Sequence, residues 1–347
     1  SQSVSNYIDY LRGDRTREVA NGGAYRTRAN LLADIVNAQL APVSAPNEGY
    51  YDTYNPGYSK FVSDNANRTT VVYAASNGGM LHAFDGSVPA TATGTCTSGI
   101  SGSSCGKELF AYIPSFAYVG GTSASTTGLA SLGNPTAFSH HYLIDSTPVT
   151  KDVDFYKTPG TTFTSNAWRT ILVGGLGKGG KGYYALNITS PGTWTSETNV
   201  ASSVLWEFTN ANMGYSFGKP VIVKTPEYGW TVIVSSGYNN SDGKGYLFFL
   251  NPRTGALLRT VATTEGSTTS PINLAQISAF IPSKPNHLAD AIYAGDLRGN
   301  VWRVDLTPTE NRTTVSGTTT TTTTYDYRLT KIATLTDANG SPQAITT

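Results

Sequence analysis

The sequence predicts an all-β fold, a β-propeller with a short helical lead-in, and three observations carry that prediction. First, the 347 residues include 36 Gly, 21 Tyr and 12 Phe but only two Met, a composition of turn and strand formers with few flexible helix-core residues. Second, one pattern recurs four times: a β-branched apolar run, a Gly-rich turn, and a returning run of alternating character that ends in Asp or Asn. Third, no stretch of about 18 apolar residues is present that could cross a bilayer as a helix. Lys+Arg at 24 nearly cancels Asp+Glu at 23, and charged residues make up only 14%, against roughly 25% in an ordinary soluble protein. That balance argues against nucleic-acid binding, which needs a basic face to neutralise phosphates, and against a polybasic membrane tail. Ser1 to Tyr10 lacks a basic segment followed by an apolar one, so any signal peptide is expected upstream or already removed.

Residues 1–60 read as a lead-in that packs on the propeller, and residues 61–347 as the blades. In SNYIDYLRGDRTREV, Tyr7, Ile8 and Leu11 recur at helical spacing, whereas RANLLADIVNAQL is either a second short helix or an entry into a strand. The hairpins follow as VVYAASNGGMLHAFDG from Val71, ILVGGLGKGGKGYYALN from Ile171, VIVSSGYNNSDGKGYLFFLN from Val232 and AIYAGDLRGNVWRVDL from Ala291. Asp242-Gly243 and Arg298-Gly299-Asn300 supply the positive-φ turn chemistry that such hairpins need. The hairpin starts are about 100, 61 and 59 residues apart, so a period near 60 predicts a weaker copy in the long gap, around YLIDSTPVTKDVDFY from Tyr142. Four-stranded repeats of this length are what a propeller stacks, because each blade buries its faces only against its neighbours. The run Thr318 to Thr324 is expected to be a mobile loop in the last blade. After YRLTKIATL the chain stops, so the last blade is expected to be open, exposing backbone groups to strand addition by a partner.

The two cysteines, Cys96 and Cys105, lie in a Gly/Ser/Thr-rich loop without nearby His or a second Cys pair. That context favours a local disulfide over a zinc site or two free thiols, and hence a periplasmic or extracellular compartment. His82, His140, His141 and His287 are too scattered for a metal centre, and Asp145 with Asp152 or Asp154, the one carboxylate pairing that could serve a glycosidase, reads as the solvated face of a strand. Arg12-Gly13-Asp14 is an integrin-recognition tripeptide, for which a helix cap at Gly13 is the plainer account. Tyr50, Tyr51, Tyr54 and Tyr58 make a Tyr-dense loop suited either to protein or glycan recognition or to packing between blades.

Taken together, VVYAASNGGMLHAFDG, GKELFAYIPS, GGLGKGGKGYYALN, FGKPVIVKT, SSGYNNSDGKGYLFFLNPRTG and YAGDLRGNVWRVDL, in this order and over nearly the whole chain, resemble the C-terminal propeller of the PilC/PilY family, the tip-associated biogenesis factors and adhesins of type IV pili. The lead-in YLRGDRTREV with YRTRANLLADIVNAQLAPVSAP resembles that family's entry segment. The resemblance implies a modified, quinoprotein-like propeller, seven-bladed in the full domain and truncated here at its C-terminal end, where SPQAITT resembles the opening of a further strand pair. It also implies a secreted, non-enzymatic protein of a Gram-negative bacterium, reaching from periplasm and outer membrane to the cell surface and pilus tip. Its partners would be minor pilins, a host or surface ligand, and its own N-terminal region, in support of pilus assembly, attachment and twitching motility. The alternatives are a secreted glycan-binding propeller or, last, an enzyme like the PQQ-dependent dehydrogenases. The latter use adjacent cysteines, a calcium ion and a catalytic Asp, a pattern this sequence departs from. Asn251-Pro252-Arg253-Thr254-Gly255 matches the D/N-x-x-T-G turn of quinoprotein blades; in the first blade Phe84-Asp85-Gly86 is split from Gly106 to Phe110 by the cysteine loop. Relatives resemble one another in an EF-hand-like calcium loop before YAGD. Here that window, Pro282 to Asp290, offers Pro282, Lys284, Asn286, Leu288 and Asp290 at alternate positions, one carboxylate and a lysine, so no calcium and no other cofactor is expected.

Overall fold

The structure is a computed structural model that describes residues 3–88, 105–120, 123, 125–156, 167–315 and 318–346. Helix α1 (Val4–Leu11) opens the chain, followed by β1 (Ala41–Val43) and α2 (Tyr58–Asp64). Next come β2 (Val71–Ser76), β3 (Met80–Asp85), β4 (Glu108–Tyr112), α3 (Phe116–Val119), α4 (Leu129–Leu132), β5 (Val149–Asp154), β6 (Trp168–Gly175), β7 (Tyr183–Asn187), α5 (Glu197–Ala201) and β8 (Val204–Phe208). The rest is all strand: β9 (Val221–Thr225), β10 (Gly229–Ser235), β11 (Lys244–Leu250), β12 (Leu257–Gly266), β13 (Leu274–Phe280), β14 (Ala291–Asp296), β15 (Asn300–Asp305), β16 (Thr309–Val315), β17 (Thr318–Thr324) and β18 (Thr330–Thr334). The strands form four antiparallel sheets of four, β1-β2-β3-β4, β5-β6-β7-β8, β9-β10-β11-β12 and β13-β14-β15-β18, with β16-β17 as a two-stranded ribbon.

Each repeated hairpin forms the middle pair of one sheet. Val232 faces Leu250 and Val234 faces Phe248 in the third sheet, and Ile292 faces Val304 in the fourth. Because successive side chains point to opposite faces, alternate residues of one strand enter two different cores. From β10 and β11, Val232, Val234, Phe248 and Leu250 pack towards the second sheet, where they meet Ile171, Val173 and Tyr183. Their neighbours Ile233, Leu247 and Phe249 pack towards the fourth, against Ile292, Trp302 and Val304. Leu172, Tyr184 and Leu186 fill a third core with Tyr73, Leu81 and Ala83 of the first sheet. A strand buried on both faces reads as an unbroken apolar run, which is why these hairpins stand out in the sequence. Turns are fixed by buried polar hubs. The Asp296 carboxylate, fully buried, accepts from Arg298 N, Asn300 N, Asn300 Nδ2 and Trp302 Nε1 at 2.7–2.9 Å. In the Asn251–Gly255 turn, Asn251 Oδ1 accepts from Arg253 N and Thr254 N, and Trp206 of the preceding sheet donates its Nε1 to Pro252 O at 3.0 Å.

Three expectations are corrected. The segment from Tyr142 is not a weak hairpin, because Val149–Asp154 is β5, the first strand of the second sheet; the long gap reflects a longer connection before that sheet. The threonine run is not a loop: Thr318–Thr324 pairs residue for residue with Thr309–Val315, because β-branched chains favour extended backbone even where little is buried. Of the two readings of Arg28 to Leu40, the entry into a strand holds, since the segment contains no helix and leads into Ala41–Val43, which pairs with β2. The last sheet is not short of a strand, since β18 pairs with β15 from Asn300↔Thr334 to Arg303↔Thr330.

Candidate functional site

The sheets have two kinds of end. At the lower end lie the connections between first and second strands, including Thr225 to Gly229 and Phe280 to Ala291. At the upper end lie the second-to-third strand turns and the connections from one sheet to the next. Aromatic residues cluster at both ends, in opposite states.

At the lower end the chain from β1 to β2 crosses three sheets. Tyr50 and Tyr58, 4% and 2% exposed, insert among Trp168, Trp230 and His287, with Tyr50 ring centroids 4.7–5.9 Å from those of all four neighbours. Tyr58 Oη donates to the Asp152 carboxylate at 2.7 Å, and Trp168 Nε1 donates to Pro56 O at 3.0 Å. Lys151 pairs with Glu48 at 2.8 Å. The buried Lys224 ammonium donates to Asn286 Oδ1 at 2.7 Å and to Tyr54 O at 3.3 Å, while Asn55 Nδ2 donates to Pro285 O at 2.8 Å. Burial pushes the pKa values of Tyr50, Tyr58, Asp152 and Glu48 above their ordinary values. His287 is pulled down to about 4 by burial, with the Lys151 and Lys224 charges adding to it. Of the Tyr-dense loop, then, Tyr50 and Tyr58 serve packing between sheets, and Tyr51 and Tyr54 remain 61% and 46% exposed. The window Pro282 to Asp290 does not fit a calcium ion: a lysine ammonium is already bonded to its one Asn carbonyl, and a second cation would be repelled there.

The remaining candidates separate. Arg12 caps α1 and pairs with Glu197; Gly13 follows at φ 106°, in the region that favours glycine; Asp14 turns back to accept from Thr16 N at 2.7 Å, which holds its carboxyl below the usual range. The tripeptide ends a helix and does not top a hairpin. Cys105 is described but Cys96 is not, so the expected bridge lies outside the described residues. Asp145, Asp152 and Asp154 are not on a solvated face, being 4%, 3% and 2% exposed. Asp145 accepts from Asn37, Asp152 from Tyr58 and Thr170, and Asp154 from the backbone of Tyr156 and Ala167. Each of these buried carboxylates is satisfied by hydrogen bonds from within the chain, as buried polar groups are. His82 links Ser76 Oγ (3.0 Å) and Glu108 (2.5 Å), the connectivity of a nucleophile relay, but Ser76 is fully buried, leaving substrate no approach. Among the described residues no three His, Cys, Asp or Glu converge as metal ligands.

The upper end holds what the sequence reading missed. A groove of about 620 Å³ is lined by Tyr142, Lys178, Tyr215, Phe217, Tyr238 and Asn239, together with His140, His141 and Thr127. A second hollow of about 300 Å³ adjoins it through Tyr215 and includes Lys181. Tyr215 and Tyr238 exchange two backbone hydrogen bonds, 2.7 and 3.1 Å, and Phe217 stacks on Tyr238 with centroids 4.9 Å apart. Gly237 makes this possible, since at φ 66° a Cβ would lie 1.8 Å from Tyr215 O. The signal available was aromatic residues beside glycine in connections, as in MGYSFG and SGYNN.

Similarity to known proteins decides the family. A model of the PilY1 beta-propeller domain matches residues 32–347. The chain belongs to the PilY1 β-propeller family. It is 31% identical over 329 residues to a type IV pilus biogenesis factor PilY1 homolog of Xylella fastidiosa, covering 88% of this chain and 19% of that protein. To the type IV pilus biogenesis factor PilY1 of Pseudomonas aeruginosa strain PAK it is 32% identical over 309 residues, covering 86% and 22%. The crystal structure of the P. aeruginosa PilY1 C-terminal domain superposes with a TM-score of 0.61 at 27% identity, covering 88% of this chain and 55% of that one. The chain therefore spans about a fifth of the length of these PilY1 relatives.

Proposed function

We propose that this propeller is a non-enzymatic binding domain of a type IV pilus biogenesis factor, acting in the Gram-negative cell envelope and at the pilus tip. There it meets minor pilins, a surface ligand and the remainder of its own chain, and it supports pilus assembly, attachment and twitching motility. The observation that carries this reading is the match of the PilY1 propeller over residues 32–347, spanning all four sheets. A scaffold role suits the side chains as well: the buried carboxylates are spent on capping backbone and bonding hydroxyls, and Ser76 has no access. A Cys96–Cys105 bridge, the form an oxidising compartment favours, accompanies the proposal; non-reduced peptide mapping that finds two free thiols removes that part.

The test is deletion of residues 32–347 from the full-length gene in its host, followed by measurement of sheared surface pilin and twitching-zone diameter. Loss of both supports a role in assembly. Normal pili with defective attachment would restrict the domain to adhesion, and normal pili, twitching and attachment would overturn the proposal.

A further inference from the structure

We propose that the upper groove binds a carboxylate-bearing oligosaccharide. This deepens the surface-ligand part of the proposed function but rests on the groove alone, so it can fail while the pilus role stands.

The volume, about 620 Å³, falls within the ordinary range of small-ligand sites. The walls present aromatic faces in a fixed arrangement: the reciprocal Tyr215–Tyr238 backbone bonds and the Phe217 stack hold three rings before any ligand arrives, which reduces the ordering cost of binding. Tyr142, Tyr215, Phe217 and Tyr238 are all half-buried, so each ring keeps part of its surface exposed. A pyranose offers C–H groups on its flat face to the negative face of such a ring and hydroxyls around its edge to polar neighbours. Asn239, exposed, and His141, half-buried, supply those neighbours.

Charge selects among sugars. The exposed Lys178 Nζ lies 4.3 Å over the Tyr142 ring, and Lys181 Nζ lies 5.5 Å over Tyr215. Lys181 is held by Asn239 O at 3.0 Å, whereas Lys178 has no acidic partner among the described residues. None of the described groove-lining residues is acidic, and Asp34 is occupied by His140 and Asn77. A ligand carboxylate beside Lys178 would complete a charge-assisted pair at the rim of an aromatic cleft. A peptide is less well served, because the lining comes from connections and offers no free strand edge for main-chain pairing.

The test titrates the purified chain with sialyllactose and trigalacturonate by calorimetry, with lactose, a proline-rich peptide and oligodeoxythymidylate as comparators. At least one acidic sugar is expected to bind and lactose to bind at least roughly tenfold more weakly. Lys178→Ala, an exposed change that leaves the fold intact, should weaken the acidic sugar by roughly tenfold, with Lys178→Arg restoring it. Tyr238→Ala should abolish binding while the chain still unfolds in one cooperative transition. Failure of both acidic sugars, binding indifferent to Lys178 and Tyr238, or tighter binding of the peptide or oligonucleotide would each overturn the proposal.

Discussion

The lower and upper ends of these sheets carry aromatic clusters of similar size that fold in opposite ways. Below, Tyr50 and Tyr58 arrive on a strap from the first sheet and are driven between Trp168, Trp230 and His287. The packing leaves Tyr50 Oη, Trp230 Nε1 and His287 Nε2 without hydrogen-bond partners among the described residues. Each such group costs about 1–3 kcal/mol, while each buried ring removes some 150–250 Å² from water and each ring pair adds about 0.5–1.5 kcal/mol. Burial therefore wins. Above, Tyr215, Phe217 and Tyr238 are locked through their backbone and keep their faces half open. An aromatic cluster closed by side-chain packing stabilises; one held open by its backbone is free to bind.

The largest effect expected from this contrast is at Trp230. Trp230→Ala empties the centre of the lower cluster and should cost about 3–5 kcal/mol in chemical unfolding; a cost near that of an exposed residue would break the comparison. Next is pH. His287 holds its proton less tightly when folded, at about 4, than its ordinary 6.5. Its contribution is thus complete above pH 6.5 and is lost as pH falls towards 4, by up to about 3 kcal/mol. Asp152 and Glu48, raised by burial, work in the opposite sense as they gain protons. The measurement is therefore the difference between the native chain and His287→Asn, a residue that tolerates the φ of 59° found there. Unfolding midpoints at pH about 7.5 and about 5 should show a smaller acid loss in the variant; equal losses would remove His287 from the account.

Lys224→Met comes third. It strips the acceptors Asn286 Oδ1 and Tyr54 O of their donor and should cost about 1–3 kcal/mol, whereas a neutral or stabilising result would mean the buried ammonium is merely tolerated. The smallest effect is expected from Tyr51→Ala, within about 0.5 kcal/mol, because that ring is the exposed member of the strap.

How much of this the sequence made legible follows from the same physics. The four hairpins were readable because strands such as Val232–Ser235 are buried on both faces and bracketed by glycine turns. Strand β5 was misread as a hairpin since Val149–Asp154 pairs with residues beyond a long connection, so no local turn announces its partner. The threonine ribbon escaped because Thr309 to Asn311 and Thr319 to Thr324 are exposed, and burial is the signal pattern-reading depends on. Aromatic density at Tyr50–Tyr58 was visible, but which rings are buried is decided by Trp168, Trp230 and His287 from three other sheets. The upper groove was invisible for the same reason, as Tyr142, Tyr215 and Tyr238 meet only after the sheets have stacked.

The most direct test of the contrast between the two ends is tyrosine nitration of the native chain, mapped residue by residue. Tyr215 and Tyr238 should be modified while Tyr50 and Tyr58, enclosed by packing and with their pKa values pushed up by burial, stay unmodified until the chain is unfolded. Modification of Tyr50 or Tyr58 at the rate of Tyr215 in the folded protein would contradict the account.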